Sequence, residues 1–432
     1  MKDNISSHKT KYIKRRLAKI IREVIDKFPV IAISGARQVG KSTMLENEFG
    51  DFTYYTMDDF DTIDMIKNDP LFIFKQHEHI IIDEAQKLPD IFNTIKLVVD
   101  RNKDKRIIIS GSSNILLMKN ITESLAGRAL YFELLPMTYG EFNGIIVPQN
   151  FLNLWEKKIT TDIPKQDISI AQLMLKGFMP PNLMTDDLND AILWLDSYVK
   201  TYLERDLRQL SQIDSIIDFR KLMQVLALRT GNILRQSDVS KDTGISASTT
   251  YRYVKLLEVS NIIERVPGFY SSRGKRIVKS PKIYFIDPAL SIFLSGYFDE
   301  ESLLKAKELG GYFETMMFLH LKSLCGILKP PAKIYYWRTV SGREVDFVIE
   351  HGRKLLAIEV KMTKNPAVKD IKNLLCFLDE YPETTLGILL HAGEEIKWLH
   401  SKVVAVPWWW IDWGCKKRQE QSPEDKLPHQ KL

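Results

Sequence analysis

The sequence predicts an α/β protein whose first unit is a parallel sheet and whose later units carry other chemistry. Three observations lead there. Short apolar runs recur at Val30–Ser34, His79–Asp83 and Arg106–Ser110, and each ends in a polar or acidic residue. Such runs read as strands buried on both faces, as in parallel sheets. Stretches of helical character stand between them. The chain has 432 residues, too many for one ordinary domain, so two to four are expected.

In order, Lys11 to Phe28 has apolar residues at Ile13, Leu17, Ile20, Ile21, Val24 and Ile25. That spacing predicts an amphipathic helix packed beside the first strand. After Val30–Ser34 comes Gly35-Ala36-Arg37-Gln38-Val39-Gly40-Lys41-Ser42-Thr43, followed by a helical stretch. It matches G-x-x-x-x-G-K-[ST], the phosphate-binding loop of P-loop NTPases, in the strand–loop–helix context that the motif needs. Gly35 and Gly40 let the backbone turn its N–H groups onto phosphates. The helix N-terminus adds a positive dipole end. Lys41 is expected to reach the β- and γ-phosphates of ATP, and the Ser42 hydroxyl to ligate Mg²⁺.

Phe52–Met57 reads as the second strand, closed by Asp58-Asp59, and a helix follows. His79-Ile80-Ile81-Ile82-Asp83-Glu84-Ala85-Gln86 is an apolar strand ending in Asp, the Walker B pattern. Asp83 is expected to hold Mg²⁺. Glu84 stands where a carboxylate can orient and deprotonate the attacking water. Arg106–Ser110 runs into a polar tip, Gly111-Ser112-Ser113-Asn114. The carboxyl ends of neighbouring parallel strands meet the ligand. Ser112 is therefore a candidate sensor of the γ-phosphate, with Ser110 and Asn114 as alternatives and plain turn chemistry as the competing explanation. Leu125-Ala126-Gly127-Arg128 then leads into a fifth strand, Ala129–Leu134.

These motifs resemble the AAA-type ATPases. More narrowly they resemble a bacterial and archaeal family with a GxRQVGKST loop, a DEAQ box and an LAGR segment, over roughly residues 10–145. The resemblance implies ATP and Mg²⁺ as cofactors. It also puts Arg128 where an arginine finger would reach a neighbouring subunit's γ-phosphate, which implies a homo-oligomer. The alternative is a cation that complements a helix C-terminus.

Residues 145–167 form a loop-rich connection, and 168–215 read as helical apart from Gly177-Phe178-Met179-Pro180-Pro181. This stretch resembles a lid or linker. Trp194, Leu195, Tyr198, Tyr202 and Leu203 fall at helical spacing and belong in a core. From Asp218 the grammar changes. One helix precedes Gln236–Ser246, a short helix closed at Gly244, and then Ala247–Leu257, a second helix rich in Ser, Thr, Tyr and Arg at its start. That is helix-turn-helix grammar. Ile262–Pro267 and Lys282–Ile286 can pair as a wing, and the unit resembles a winged helix. Tyr270–Lys282 between them has five basic residues and no acid. Thr249, Arg252, Arg273, Lys275, Arg276 and Lys279 are the DNA-contact candidates. A domain used for protein contacts is the competing reading.

Gly311-Tyr312-Phe313-Glu314 opens a helix through Leu324. Tyr335–Arg338, Glu344–Ile349 and Leu355–Lys361 read as strands. Asp346 and Glu359-x-Lys361, with Glu314 on the helix, resemble the PD-(D/E)xK nuclease core. Lys361 lies two residues from Glu359, on the same strand face. The resemblance implies a Mg²⁺ site at Asp346 and Glu359 with Lys361 steadying the transition state. A nuclease-like fold without activity is the alternative. Trp408-Trp409-Trp410 and Trp413 read as core or interface.

The expected units are an AAA-type P-loop ATPase domain (1–150), a helical lid (151–217), a winged helix-turn-helix (218–290), a restriction-endonuclease-like α/β domain (310–413) and a disordered tail (414–432). Net charge is +6, yet residues 218–290 hold 13 Lys/Arg against 6 Asp/Glu. The basic character is therefore local, which points to a polyanion such as DNA. Three scattered cysteines form no C-x-x-C pair and suit a reducing cytoplasm. No apolar run reaches the length of a membrane span, and the basic N-terminus does not read as a secretory signal. Two functions follow. One is a DNA-directed ATPase with the option of cutting. The other is a nucleotide-switched regulator or scaffold.

Overall fold

Alternate residues of the predicted strands go to opposite faces of one sheet. Val30 and Ala32, Ile80 and Ile82, and Ile107 and Ile109 pack on one side, with Phe92, Ile95 and Val99 from the helix Ile91–Arg101. Ile31, Ile33, Ile81 and Ile108 pack on the other, with Met44, Leu45 and Ile21. Both faces are covered, so the runs have to be apolar throughout. The computed structural model describes residues 12–111, 124–161, 163–166, 168–206, 213–270 and 280–416. The sheet comprises β1 (Val30–Ser34), β2 (Thr53–Thr56), β3 (His79–Asp83), β4 (Arg106–Ser110) and β5 (Ala129–Glu133), in the order β2-β3-β4-β1-β5. All neighbours are parallel.

The amphipathic helix is shorter than its periodicity predicted, Arg16–Val24. Pro29 disfavours helix at the residue before it. At the other end Arg15 is extended (φ −101°, ψ 137°), and the Arg15 and Arg16 side chains turn inward.

The lid segment does not close on itself. Phe151, Leu154, Met174 and Phe178 share one core with Tyr312, Phe318, Trp408 and Trp410 far along the chain. Gly177 (φ +76°) lets the chain pass Asp287, whose carboxylate accepts the N–H groups of Phe178 and Met179 at 2.8 and 2.9 Å. Burial pushes that carboxyl up to about 6. A strand β6 (Ile145–Val147) precedes this segment.

The middle unit has helices Ile216–Ala227, Gln236–Thr243 and Ala247–Val259, then an antiparallel pair β7 (Ile263–Val266) and β8 (Lys282–Phe285). Gly244 ends the second helix in the left-handed region, and Ser246 caps the third by accepting the Thr249 N–H at 3.2 Å.

The C-terminal unit is a mixed sheet of β9 (Lys333–Arg338), β10 (Glu344–His351), β11 (Lys354–Lys361), β12 (Thr384–His391), β13 (Lys397–His400) and β14 (Val403–Pro407). Their order is β13-β14-β12-β11-β10-β9. The long helix Leu309–Gly326 covers one face. Phe269 and the helix Lys372–Glu380 cover the other.

The disordered tail expected from residue 414 needs correction at its start. Cys415–Lys416 forms β15, antiparallel to β6. Gly414 permits this, because a Cβ there would stand 2.1 Å from the Val147 carbonyl oxygen. Residues 417–432 lie outside the described residues. Among the described residues no helix is long and apolar enough to cross a membrane.

Candidate functional site

The Gly-rich loop lies at the carboxyl edge of the first sheet. Gly35 has φ +150°, and a Cβ on it would stand 2.2 Å from the Leu134 carbonyl oxygen, so only glycine fits. Gln38 (φ 69°) and Gly40 (φ 90°) are left-handed. Ala36 and Val39 bury their side chains in the core beneath and leave their backbone in the loop. Arg37, Gln38 and Thr43 are exposed. Lys41 opens the helix Lys41–Glu48, and its Nζ donates to the Gly35 and Ala36 carbonyls at 2.9 and 3.0 Å. Burial lowers this lysine to about 8, against the opposing pull of Glu84 and Asp83.

Asp83 ends β3 as the hub of a hydroxyl cluster. Ser42 Oγ donates to its Oδ2 at 2.6 Å, and Tyr54 OH donates to the same oxygen at 2.5 Å. Ser110 Oγ donates to Oδ1, which also accepts the Glu84 N–H at 3.0 Å. Burial raises the Tyr54 phenol and Asp83 raises it further, so it stays a donor. Glu84 is left-handed (φ 52°) and takes a 2.5 Å hydrogen bond from Gln86 Nε2. Gly111 leaves room for that glutamine, since a Cβ there would meet Gln86 Oε1 at 2.1 Å. Of the three candidate sensors on the β4 tip, Ser110 touches Asp83, whereas Ser112 and Asn114 lie outside the described residues.

Mg²⁺-ATP fits these residues. Mg²⁺ takes few protein ligands and keeps water and phosphate oxygens. A hydroxyl and a carboxylate already in contact, Ser42 and Asp83, are what such an ion needs from the protein.

Several contributors escaped the sequence reading. Arg15 is buried and donates to the loop carbonyl of Val39 at 2.8 Å and to the Leu135 carbonyl at 2.6 Å. Its Nε meets Glu141 at 3.4 Å. Tyr198 OH donates to the Arg37 carbonyl at 3.4 Å, and the Arg37 guanidinium lies 5.8 Å from the Tyr202 ring centre. Nothing in the local sequence marks these roles, which arise from packing.

Arg128 is at the other end of the sheet. Ala129 is level with Val30 and Glu133 with Ser34, so Arg128 stands at the amino edge, away from its own loop. It is held by Asp100 through two bonds, at 2.6 and 2.8 Å.

In the middle unit, Arg252 is exposed and paired with Asp214, and Thr249 accepts from Ser246 Oγ at 2.9 Å. Arg273, Lys275, Arg276 and Lys279 lie outside the described residues. Lys282, the fifth basic residue of the Tyr270–Lys282 stretch, is only 1% exposed. Its charge is turned inward onto acids of the C-terminal unit.

Glu314, Asp346, Glu359 and Lys361 do come together. Phe347 pairs with Ile358, which sets Asp346 opposite Glu359 across the ladder. Asp346 accepts the Val360 N–H at 2.8 Å, and Lys361 Nζ is 2.7 Å from Glu359. Burial raises the Glu359 carboxyl well above the usual range, and Asp346 adds to it. Burial also raises Glu314, to about 7. The implied divalent ion does not fit this arrangement. Lys282 Nζ already stands 2.8 Å from Glu314, 2.5 Å from Glu344 and 3.7 Å from Asp346. Among the described residues no group of three or more His, Cys, Asp or Glu is arranged to hold a metal.

Comparison with known proteins agrees with the first sheet. Residues 27–143 match an AAA domain family. Residues 168–301 and 309–411 match two families, each described as a domain of unknown function. An uncharacterised protein of Mycobacterium tuberculosis is 28% identical over 397 residues, covering 91% of this chain and 83% of its own. One from Methanocaldococcus jannaschii is 25% identical over 390 residues, covering 86% and 82%. Among solved structures, the Walker-type ATPase of Pyrococcus abyssi is 16% identical with a TM-score of 0.42, covering 64% of this chain and 94% of its own. Fold, loop and family match together define an ATP-binding, AAA-type P-loop ATPase domain, joined to a further mixed-sheet α/β unit.

Proposed function

We propose that this chain is a Mg²⁺-dependent ATP hydrolase whose nucleotide state governs how its middle and C-terminal units engage DNA. The observation that carries the reading is the convergence of Lys41, Ser42, Asp83 and Glu84 on one sheet edge. Lys41 binds the phosphates. Ser42 and Asp83 hold Mg²⁺, which when bound neutralises charge on the β- and γ-oxygens. Glu84, oriented by Gln86, takes the proton of the attacking water. Arg128 serves a neighbouring subunit, since it stands at the far end of its own sheet. The middle unit acts as a winged helix, with Thr249 and Arg252 on its recognition-type helix Ala247–Val259 and Arg273, Lys275, Arg276 and Lys279 in the segment between the two wing strands.

Lys282 favours the non-cutting form of this reading, in which the C-terminal unit binds and transmits rather than cleaves. The test is ATPase activity with Mg²⁺, measured with and without single-stranded, duplex and branched DNA. The reading expects DNA to stimulate turnover and DNA binding to weaken with salt. It also expects the salt slope to flatten when Arg273, Lys275, Arg276 and Lys279 become Ala. ATPase unaffected by any DNA, together with a tight protein partner, would replace it with the regulator reading.

A further inference from the structure

The middle hairpin and the C-terminal unit are joined by charges that neither could bury alone. Lys282 ends the loop side of β8, and its side chain is 2% exposed. Around its ammonium stand Glu314 from the long helix and Glu344 and Asp346 from β10. The ring of Tyr336 on β9 lies 5.8 Å away. Tyr284, two residues on and on the same face of β8, donates to Glu314 at 2.5 Å. The wing side is pinned too. Tyr336 OH donates to the Ser280 carbonyl at 2.6 Å, and Phe269 N–H donates to the Tyr336 carbonyl at 2.6 Å. Charge also crosses in the other direction. Lys322, on the same helix as Glu314, binds Glu264 of β7 and lies 2.8 Å from Glu133 at the end of β5.

We propose that Lys282 is a built-in cation of the C-terminal acid cluster, standing where a divalent ion would otherwise sit and latching the hairpin to the sheet. A lysine ammonium is a compact point charge with three donors, suited to several carboxylates at once. It also excludes a metal, because a divalent ion among the same oxygens would meet a positive charge in a site with little water. The cluster still has acceptor capacity. Glu359 Oε2 is buried and has no hydrogen-bond partner, beside Asp346. Removing the ammonium therefore leaves Glu314, Glu344 and Asp346 without their shared cation, beside a Glu359 that has only Lys361 as its counter-charge. The latch does not depend on the ATPase reading, because it involves none of the phosphate-loop residues.

The experiment is Mn²⁺ titration of nucleotide-free protein, followed by the electron paramagnetic resonance of free Mn²⁺. Wild type should bind no Mn²⁺ that Glu359→Gln removes. Lys282→Ala should bind one more ion per chain, at least about tenfold tighter than any such site in wild type. Lys282→Arg should not bind it, and adding Glu359→Gln to Lys282→Ala should abolish it. Equal, Glu359-dependent binding by wild type overturns the proposal, and so does a folded Lys282→Ala protein that binds none. Should Lys282→Ala fail to fold, amine acylation of wild type decides. Lys282 should stay unmodified while exposed Lys305 reacts, with and without millimolar Mn²⁺. Reactivity at Lys282 that rises with Mn²⁺ means that the metal displaces it, and overturns the latch.

Discussion

The guanidinium of Arg16 is bound to the carboxylate of Asp412, 396 residues later in the chain, with both side chains buried. The other Asp412 oxygen accepts the Gly140 N–H at 2.5 Å, and Arg16 Nε donates to the Ile145 carbonyl at 2.9 Å. Arg16 N–H donates to Glu141 at 2.9 Å, and Glu141 also meets Arg15, which holds the phosphate loop at Val39. A short buried path thus runs from the nucleotide loop to the Trp-rich end of the C-terminal unit. Asp412→Ala leaves Arg16 buried without its partner. Breaking such a pair costs about 3–5 kcal/mol. The expected result is a lower midpoint in urea unfolding followed by tryptophan fluorescence, which Trp408–Trp410 report directly. An unchanged midpoint would mean that the pair is not maintained in solution.

Glu84→Gln should keep ATP binding and lower turnover by at least about 10²-fold, because only the proton-accepting carboxylate is changed. Lys41→Ala should abolish binding itself. Gln86→Ala removes the 2.5 Å bond that orients Glu84 and should lower kcat less than Glu84→Gln, with ATP affinity unchanged. Phosphate release and fluorescent-nucleotide binding separate the effects. Normal turnover in Glu84→Gln would take the residue out of the reaction.

The nucleotide loop and the strand before it were legible in the sequence because their logic is local. Gly35, Gly40 and Lys41 act through backbone conformation and nearest neighbours, and β1, β3 and β4 announce themselves as apolar runs. What escaped was set by packing. Arg15 and Arg16 stand at a helix start where nothing in the local sequence marks them for burial, yet both are buried. Tyr54 read as one side chain in a strand, and its contact with Asp83 depends on β2 lying beside β3. Lys282 read as one charge in a basic run, and only the docking of β8 on the long helix turns it inward. Strand β12, Thr384–His391, has no flanking motif and went unread.

Arg128→Ala should lower kcat far more than ATP affinity, by about 10²-fold or more, if the residue completes a neighbour's site. In the single chain it is held by Asp100 on the helix Ile91–Arg101, so assembly has to exchange one anion for another. Mixing Arg128→Ala with Glu84→Gln protein is the decisive measurement. Each inactive chain then supplies what the other lacks, and part of the turnover should return. No recovery, with a monomer in sedimentation, removes the finger assignment.

The pH dependence of ATP binding follows from Lys41. Burial lowers its ammonium to about 8, well below an ordinary lysine. Below that pH the free protein already holds the charge, so binding needs no proton. Above it the lysine of the free protein is neutral, while the bound phosphates favour the charged form. Binding must then take up a proton, and affinity falls as pH rises, by up to about tenfold per unit. Calorimetry in buffers of different ionisation enthalpy reads this directly. Uptake should be near zero around pH 6.5 and approach one proton around pH 9. Lys41→Arg stays charged throughout, so any binding that it retains should show no such uptake. Wild-type binding without proton uptake at the higher pH would mean that Lys41 does not face the phosphates as a buried, depressed ammonium.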